Sequence, residues 1–298
     1  MTARRRITRV LSGSTGSGDS AGAGSPAGLV DSVESVGDEL TVEAPLNLIV
    51  SGESIATLMR TPGHDLELAA GWLTVESGVR SASDLHGLRQ CRTEDDLTLR
   101  ALDGISGRGV DQVHLALADG VEGPRPRAWV TGAACGVCSA DVLDLRPLRR
   151  SAAHTPGWTV PFQVLQKLPD QVRQQQRTFQ RTGSLHAAAL ATAAGELLVV
   201  REDVGRHNAV DKVTGWALFA NRLPATDLLL VVSGRVSFEI IQKAVAAGVS
   251  AVVAVSAPSD LAVDLAREHD LMLAGMVRPG RMNVYAGAAL VTGLGPAG

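Results

Sequence analysis

Apolar and polar positions change their period several times along this chain, and each change marks a different element. Leu40, Val42, Leu46, Leu48 and Val50 follow the two-residue period of a strand with one buried face, and Ser51-Gly52-Glu53 reads as a turn. A second strand from about Ser54 to Met59 completes a hairpin. Leu66, Ala69, Ala70 and Leu73 then recur at helical spacing, which predicts a helix to about Val75. Short β-like runs at 97–102, 111–118 and 127–131 predict a small antiparallel sheet. The stretch 161–180 is polar and helical in pattern, with one break near Pro169. Runs at 185–192 and 197–201 flank a Gly195-Glu196 turn and form a second hairpin, followed by a helix over 208–221.

The C-terminal pattern is the most regular. Three apolar runs, 228–232, 251–255 and 271–276, alternate with helical segments at 238–247 and 260–268. That order is β-α-β-α-β, the signature of parallel strands joined by right-handed crossovers. At the other end, 7–11 reads as a short strand and 12–36 as a flexible Gly/Ser-rich insert. The expected organisation is a flexible segment over 1–37, a small and mostly antiparallel α+β domain over 38–150, and an α/β domain over 151–298.

Composition narrows the class. Apolar residues make up 45% of the 298, but aromatics only 3%, so the core is built from Val, Leu, Ile and Ala. Lys+Arg 28 against Asp+Glu 31 gives a net charge of −3, without the basic excess of a general nucleic-acid binder. No apolar run approaches the roughly 18 residues of a membrane span, and Arg4-Arg5-Arg6 is followed by no apolar signal core. The expected compartment is the cytoplasm.

Two of the three cysteines stand close together, in Cys135-Gly136-Val137-Cys138. Structural zinc needs four ligands, and Cys91 is the only other cysteine, which excludes an all-cysteine site. A zinc deaminase would show His-x-Glu and Pro before the first cysteine; Ala134 stands there instead. A thioredoxin-like pair should open a helix, and 139–150 is a mediocre helix. Two neighbouring core cysteines are the plainest account, but Gly132 and Gly136 favour an accessible loop. Sulfur relay is the remaining chemistry: a thiolate attacks a persulfide sulfur, holds it and releases it. The motif permits relay without selecting it.

The strand ends carry the other candidate chemistry. Ser233-Gly234-Arg235 follows the first parallel strand, Ser256-Ala257-Pro258-Ser259 the second and Arg278-Pro279-Gly280-Arg281 the third. Ligands bind beyond the carboxyl ends of parallel strands, where turn N–H groups and arginines meet anions. Arg206, His207 and Lys212 gather in the charged stretch 201–212, with Asp203 placed to orient His207 or Arg206. Lys212 and Lys243 also fit plain helix-surface lysines. Three such loops in register predict a phosphorylated ligand, a nucleotide by preference. No P-loop or dinucleotide fingerprint is present.

Taken in order, these motifs resemble the formate dehydrogenase accessory sulfurtransferases, the FdhD/NarQ family. The resemblance runs from about Leu40 to Gly287 and includes Thr61-Pro62-Gly63-His64-Asp65, the Cys135–Cys138 loop and Thr182-Gly183-Ser184-Leu185-His186. It continues through Glu202-Asp203-Val204-Gly205-Arg206-His207-Asn208, Ser233-Gly234-Arg235-x-Ser237-x-Glu239 and Arg278-Pro279-Gly280-Arg281-x-Asn283-x-Tyr285. It implies a three-layer α/β/α sandwich resembling the cytidine deaminase fold without its zinc ligands, a smaller N-terminal domain and a homodimer. It also implies a sulfur carrier that takes persulfide sulfur from a cysteine desulfurase and passes it to the molybdenum cofactor, bis(molybdopterin guanine dinucleotide), for formate dehydrogenase. The persulfide cysteine maps to Cys135, with Cys138 beside it. The cofactor loop maps to Met276, Val277, Arg278, Pro279, Gly280 and Arg281. Arg206, His207, Ser233, Gly234 and Arg235 are expected to add contacts, the guanine nucleotide being the part held. Ser184 replaces a second glycine of the family pattern, which would strain the backbone if that position needs φ > 0.

Overall fold

The computed structural model describes residues 2–12, 30–93, 110–124, 130–131 and 157–294. Cys135 and Cys138 lie outside the described residues, as do the runs expected at 97–102 and most of 127–131.

The chain opens with a long two-stranded ribbon. β1 (Thr2–Ser12) pairs antiparallel with β2 (Val30–Thr41), Ile7 opposite Val36 and Val10 opposite Val33. The expectation of a flexible segment to residue 37 is corrected where the structure describes it: residues 2–12 and 30–37 are strand. The ribbon is tied down near its base, where Arg181 pairs with Glu39 and Thr41 meets Ser184 at 2.7 Å.

β3 (Ala44–Val50) and β4 (Glu53–Arg60) form the expected hairpin, and α1 (Asp65–Glu76) covers it. β5 (Leu85–Thr93), β6 (Val110–Leu117) and β7 (Val130–Thr131) complete a sheet of order β5-β6-β3-β4-β7. It is mixed rather than mostly antiparallel, since β3–β6 and β4–β7 run parallel. Arg60, fully buried, donates to both Asp65 oxygens at 3.1 and 2.9 Å and to Asp111 at 2.5 Å. A cation so deep is tolerable only with that pairing.

β8 (Val160–Pro161) leads into α2 (Phe162–Leu165), α3 (Leu168–Gln175) and α4 (Arg177–Thr182). The polar stretch thus breaks twice, before Leu168 and at Gln176. β9 (His186–Thr192) and β10 (Leu197–Asp203) form the second hairpin, and α5 (Arg206–Phe219) follows. β11 (Leu228–Val232), α6 (Phe238–Ala247), β12 (Ala251–Ala254), α7 (Asp260–Glu268) and β13 (Met272–Arg278) are the β-α-β-α-β unit. β14 (Arg281–Ala286) folds back on β13, and β15 (Val291–Thr292) pairs with β8.

The large sheet has the order β10-β9-β11-β12-β13-β14, with β11, β12 and β13 parallel. All five residues of β11 are buried, as both-faces-covered parallel strands require. α5, α6 and α7 pack on one face around Val213, Ile241 and Leu265; α3 covers the other with Leu168 and Val172. Burying each such side chain is worth about 1.5–3 kcal/mol. The chain is thus a mixed α/β protein. No helix among the described residues is long and apolar enough to cross a membrane.

Candidate functional site

The loops after β11, β12 and β13 are stitched into one rim. Val236 N donates to Ala257 O at 3.3 Å, Ser259 N to Val236 O at 2.9 Å and Met276 N to Ser256 O at 3.2 Å. Between β13 and β14, Arg278 pairs with Arg281 across Pro279 and Gly280. Gly280 has φ 80°, so the pair occupies the central positions of a type II turn. A bulge between Gly275 and Arg278 puts Met276 in the left-handed region and turns it outward, while Val277 stays buried. Arg278, Pro279, Gly280 and Arg281 are exposed. Arg278 Nη1 donates to Val255 O and Val277 O, both at 2.7 Å, which fixes the guanidinium over the end of β12.

Inside that rim is a cleft of about 270 Å³, between α3 and the ends of β11–β13. Asp170, Arg173, Gln176, Ser233, Val277 and Arg278 line it. Gln176 is 3% exposed, and its Nε2 is buried without a hydrogen-bond partner. An unmet buried donor costs about 1–3 kcal/mol, so a ligand acceptor there would be rewarded. Ser233 Oγ accepts from Ala187 N at 2.8 Å, leaving its own hydrogen to give. Asp170, Arg173 and Gln176 are site residues that sequence reasoning missed. They lie in a stretch that reads only as polar helix, and nothing local says that Gln176 is buried.

Arg206, His207 and Arg235 do not join that cleft. They gather on the α5 and α6 side of the same loop, around His186, which the sequence analysis carried only inside a motif. His207 Nε2 lies 3.3 Å from Ser237 Oγ and 3.6 Å from Glu239 Oε2; Ser237 Oγ donates to Glu239 Oε2 at 2.5 Å. The His207 contact foremost, and then the Ser237 hydrogen bond, hold the Glu239 carboxyl down at about 2. A carboxylate whose folded pKa lies below its ordinary 4.5 contributes stability fully present above 4.5 and lost as pH falls toward 2. Glu239→Gln should therefore lower stability at neutral pH by about 1 kcal/mol, screened by solvent, and flatten the loss between pH 4.5 and 2. Urea denaturation across that range checks it.

Two expectations about charge are corrected. Lys212 is no surface lysine: it is 1% exposed, pairs with Asp203 at 2.7 Å and donates to Thr61 O at 2.9 Å. Lys243 is buried too, with Asp211 oxygens at 2.7 and 2.9 Å. Asp203 orients neither His207 nor Arg206. It accepts from Thr61 N, Gly205 N and Asn208 Nδ2 and so pins the start of α5. The positive φ near Ser184 falls on Gly183, at 68°, so the serine carries no such strain. Cys91 sits in β5, its Sγ 3.9 Å from Gln112 Oε1. Among the described residues no three His, Cys, Asp or Glu side chains gather as a metal site.

Comparison with known proteins adds a second line of observation. The model of the FdhD/NarQ family matches residues 41–292. A protein of Nocardia farcinica named sulfur carrier protein FdhD is 44% identical over 289 residues, 97% of this chain and 94% of the relative. One of the same name from Sulfolobus acidocaldarius is 38% identical over 248 residues, 83% of this chain and 89% of that one. A crystal structure described as a formate dehydrogenase accessory protein, from Desulfotalea psychrophila, superposes with a TM-score of 0.69. It covers 97% of this chain and 99% of its own at 20% identity, a likeness of fold alone.

Proposed function

The chain belongs to the FdhD/NarQ family, and from that premise we propose that it is a sulfur carrier for the molybdenum cofactor of formate dehydrogenase. A cysteine desulfurase is its donor and bis(molybdopterin guanine dinucleotide) its cargo. The Cys135 thiolate attacks the terminal sulfur of the donor's persulfide. A new S–S bond forms at Cys135, the old one breaks, and the donor cysteine leaves as thiolate. Release as sulfide needs two electrons. Cys138 can supply them by attacking Cys135 Sγ, which closes a Cys135–Cys138 disulfide and frees HS⁻ for the metal. The protein then acts as a sulfurtransferase, a cytoplasmic homodimer by family analogy, with the deaminase-like sandwich as its larger part.

The observation that carries the cargo half is the unmet Gln176 amide in a cleft lined by Arg278, with Arg281 exposed across the same turn. A guanine nucleotide suits that set. Its carbonyl oxygen can accept from Gln176 Nε2, its ring N–H groups can donate to Asp170, and its phosphates can meet the two arginines. Met276, Val277, Pro279 and Gly280 shape the turn that presents those arginines. Titrating guanosine diphosphate into the full chain tests this half. Arg281→Ala should weaken binding about tenfold, the worth of one charge-assisted contact; unchanged affinity sinks the assignment.

A further inference from the structure

Four segments converge on the far side of the 233–235 loop from the cleft: the starts of β9, α5 and α6, and the loop itself. Gly234 is where they meet. A Cβ there would lie 3.2 Å from His186 Nδ1 and 3.7 Å from Arg206 Cδ, so the ring and the arginine stem close over a bare backbone. Arg206 Nε is enclosed and has no hydrogen-bond partner. Neither Arg206 nor Arg235 makes a side-chain hydrogen bond or ion pair among the described residues, whereas Arg60, Arg201, Lys212 and Lys243 each have a carboxylate. The nearby carboxylates are already engaged: Glu239 with Ser237 and His207, Asp203 with Lys212 and the α5 turn. The cluster therefore holds positive charge that these side chains do not answer.

We propose that His186, Arg206 and Arg235 form a second anion site, separate from the cleft, that takes a compact phosphate-type oxyanion such as pyrophosphate. Two guanidinium groups and an imidazole offer several N–H donors to an ion with several oxygens. The site does not depend on the nucleotide reading of the cleft. The free state of His186 agrees with it. Burial lowers its pKa first, then Arg206, His207 and Arg235 do, with Asp203 opposing. A bound anion would reverse the charge effect and raise it.

The test uses the full chain, with inorganic pyrophosphate followed by calorimetry and by the His186 ring resonance in NMR. Saturable binding is expected, with the His186 titration midpoint moving upward. Affinity should fall about tenfold in Arg235→Ala, whose exposed side chain can be removed without disturbing packing, and in Arg206→Gln. Arg222→Ala, an equal charge change at the opposite end of α5, should leave it unaltered. No saturable binding, a silent His186 resonance, or equal affinity in all three variants overturns the site. Adding guanosine diphosphate identifies the source of the anion. Displacement means that the site serves a nucleotide's diphosphate, simultaneous binding that it serves a free ion, and either outcome supports it.

Discussion

Cys135→Ala is expected to abolish persulfide loading, by about a hundredfold or more, because a relay without its nucleophile has no second route. Mass spectrometry after incubation with a cysteine desulfurase and cysteine reads the added sulfur directly. In a strain lacking the endogenous carrier, the same variant should fail to restore formate dehydrogenase activity. Cys138→Ala separates the competing chemistries. A relay keeps loading on Cys135 in that variant and loses sulfide release, which an added thiol reductant should recover, since only the electron source has been removed. A thiol–disulfide exchanger loses turnover with either cysteine. A cofactor chaperone with dispensable cysteines keeps formate dehydrogenase activity in Cys135→Ala, and that result would overturn the sulfur-carrier reading.

What the sequence disclosed and what it hid divide along a physical line. β11, with its Leu-Leu-Leu-Val-Val run, was legible because a strand covered on both faces must be apolar throughout. The 51–53 turn and the Gly195-Glu196 turn were legible because hairpins depend on local residue types. β2 was not: Val33 and Val36 stand among Ser, Glu and Asp, and only pairing with β1 makes the segment a strand. β5 carries Arg89 and Gln90 and was missed for the same reason. Lys212 read as surface because its helix position was known and its neighbours were not. α5 is enclosed by α1 and the sheet, so its charged residues had to find partners in other elements. The strand-end loops meet along one rim, yet Ser233 and Arg278 line the cleft while Arg206 and Arg235 do not. Periodicity could not assign Ser233 to the cleft and Gly234 to contact with His186 and Arg206.

The crossing of α1 and α5 predicts the largest stability effect. An ideal Cβ on Gly71 would lie 1.8 Å from Asp211 O, and one on Gly215 would lie 1.9 Å from Glu67 O. The two helices therefore meet backbone to backbone. In an open helix, Gly→Ala gains about 1 kcal/mol from propensity. Here a methyl group has nowhere to go, since its obstacle is carbonyl backbone and not the tip of a flexible side chain. The helices must part, and parting them pulls on ion pairs anchored at the crossing: half-buried Glu67 with Arg201 at 2.6 Å, and buried Asp211 with Lys243 at 2.7 Å. Gly71→Ala and Gly215→Ala should each destabilise by about 3 kcal/mol or more in urea denaturation, opposite in sign to propensity. Gly37→Ala, where the added methyl meets nothing within 4 Å, should stay within about 0.5 kcal/mol. A Gly215→Ala protein as stable as the parent would refute the close crossing. It would also loosen the case for the anion site, because α5 holds Arg206 and His207 at its first turn only while its middle is clamped to α1.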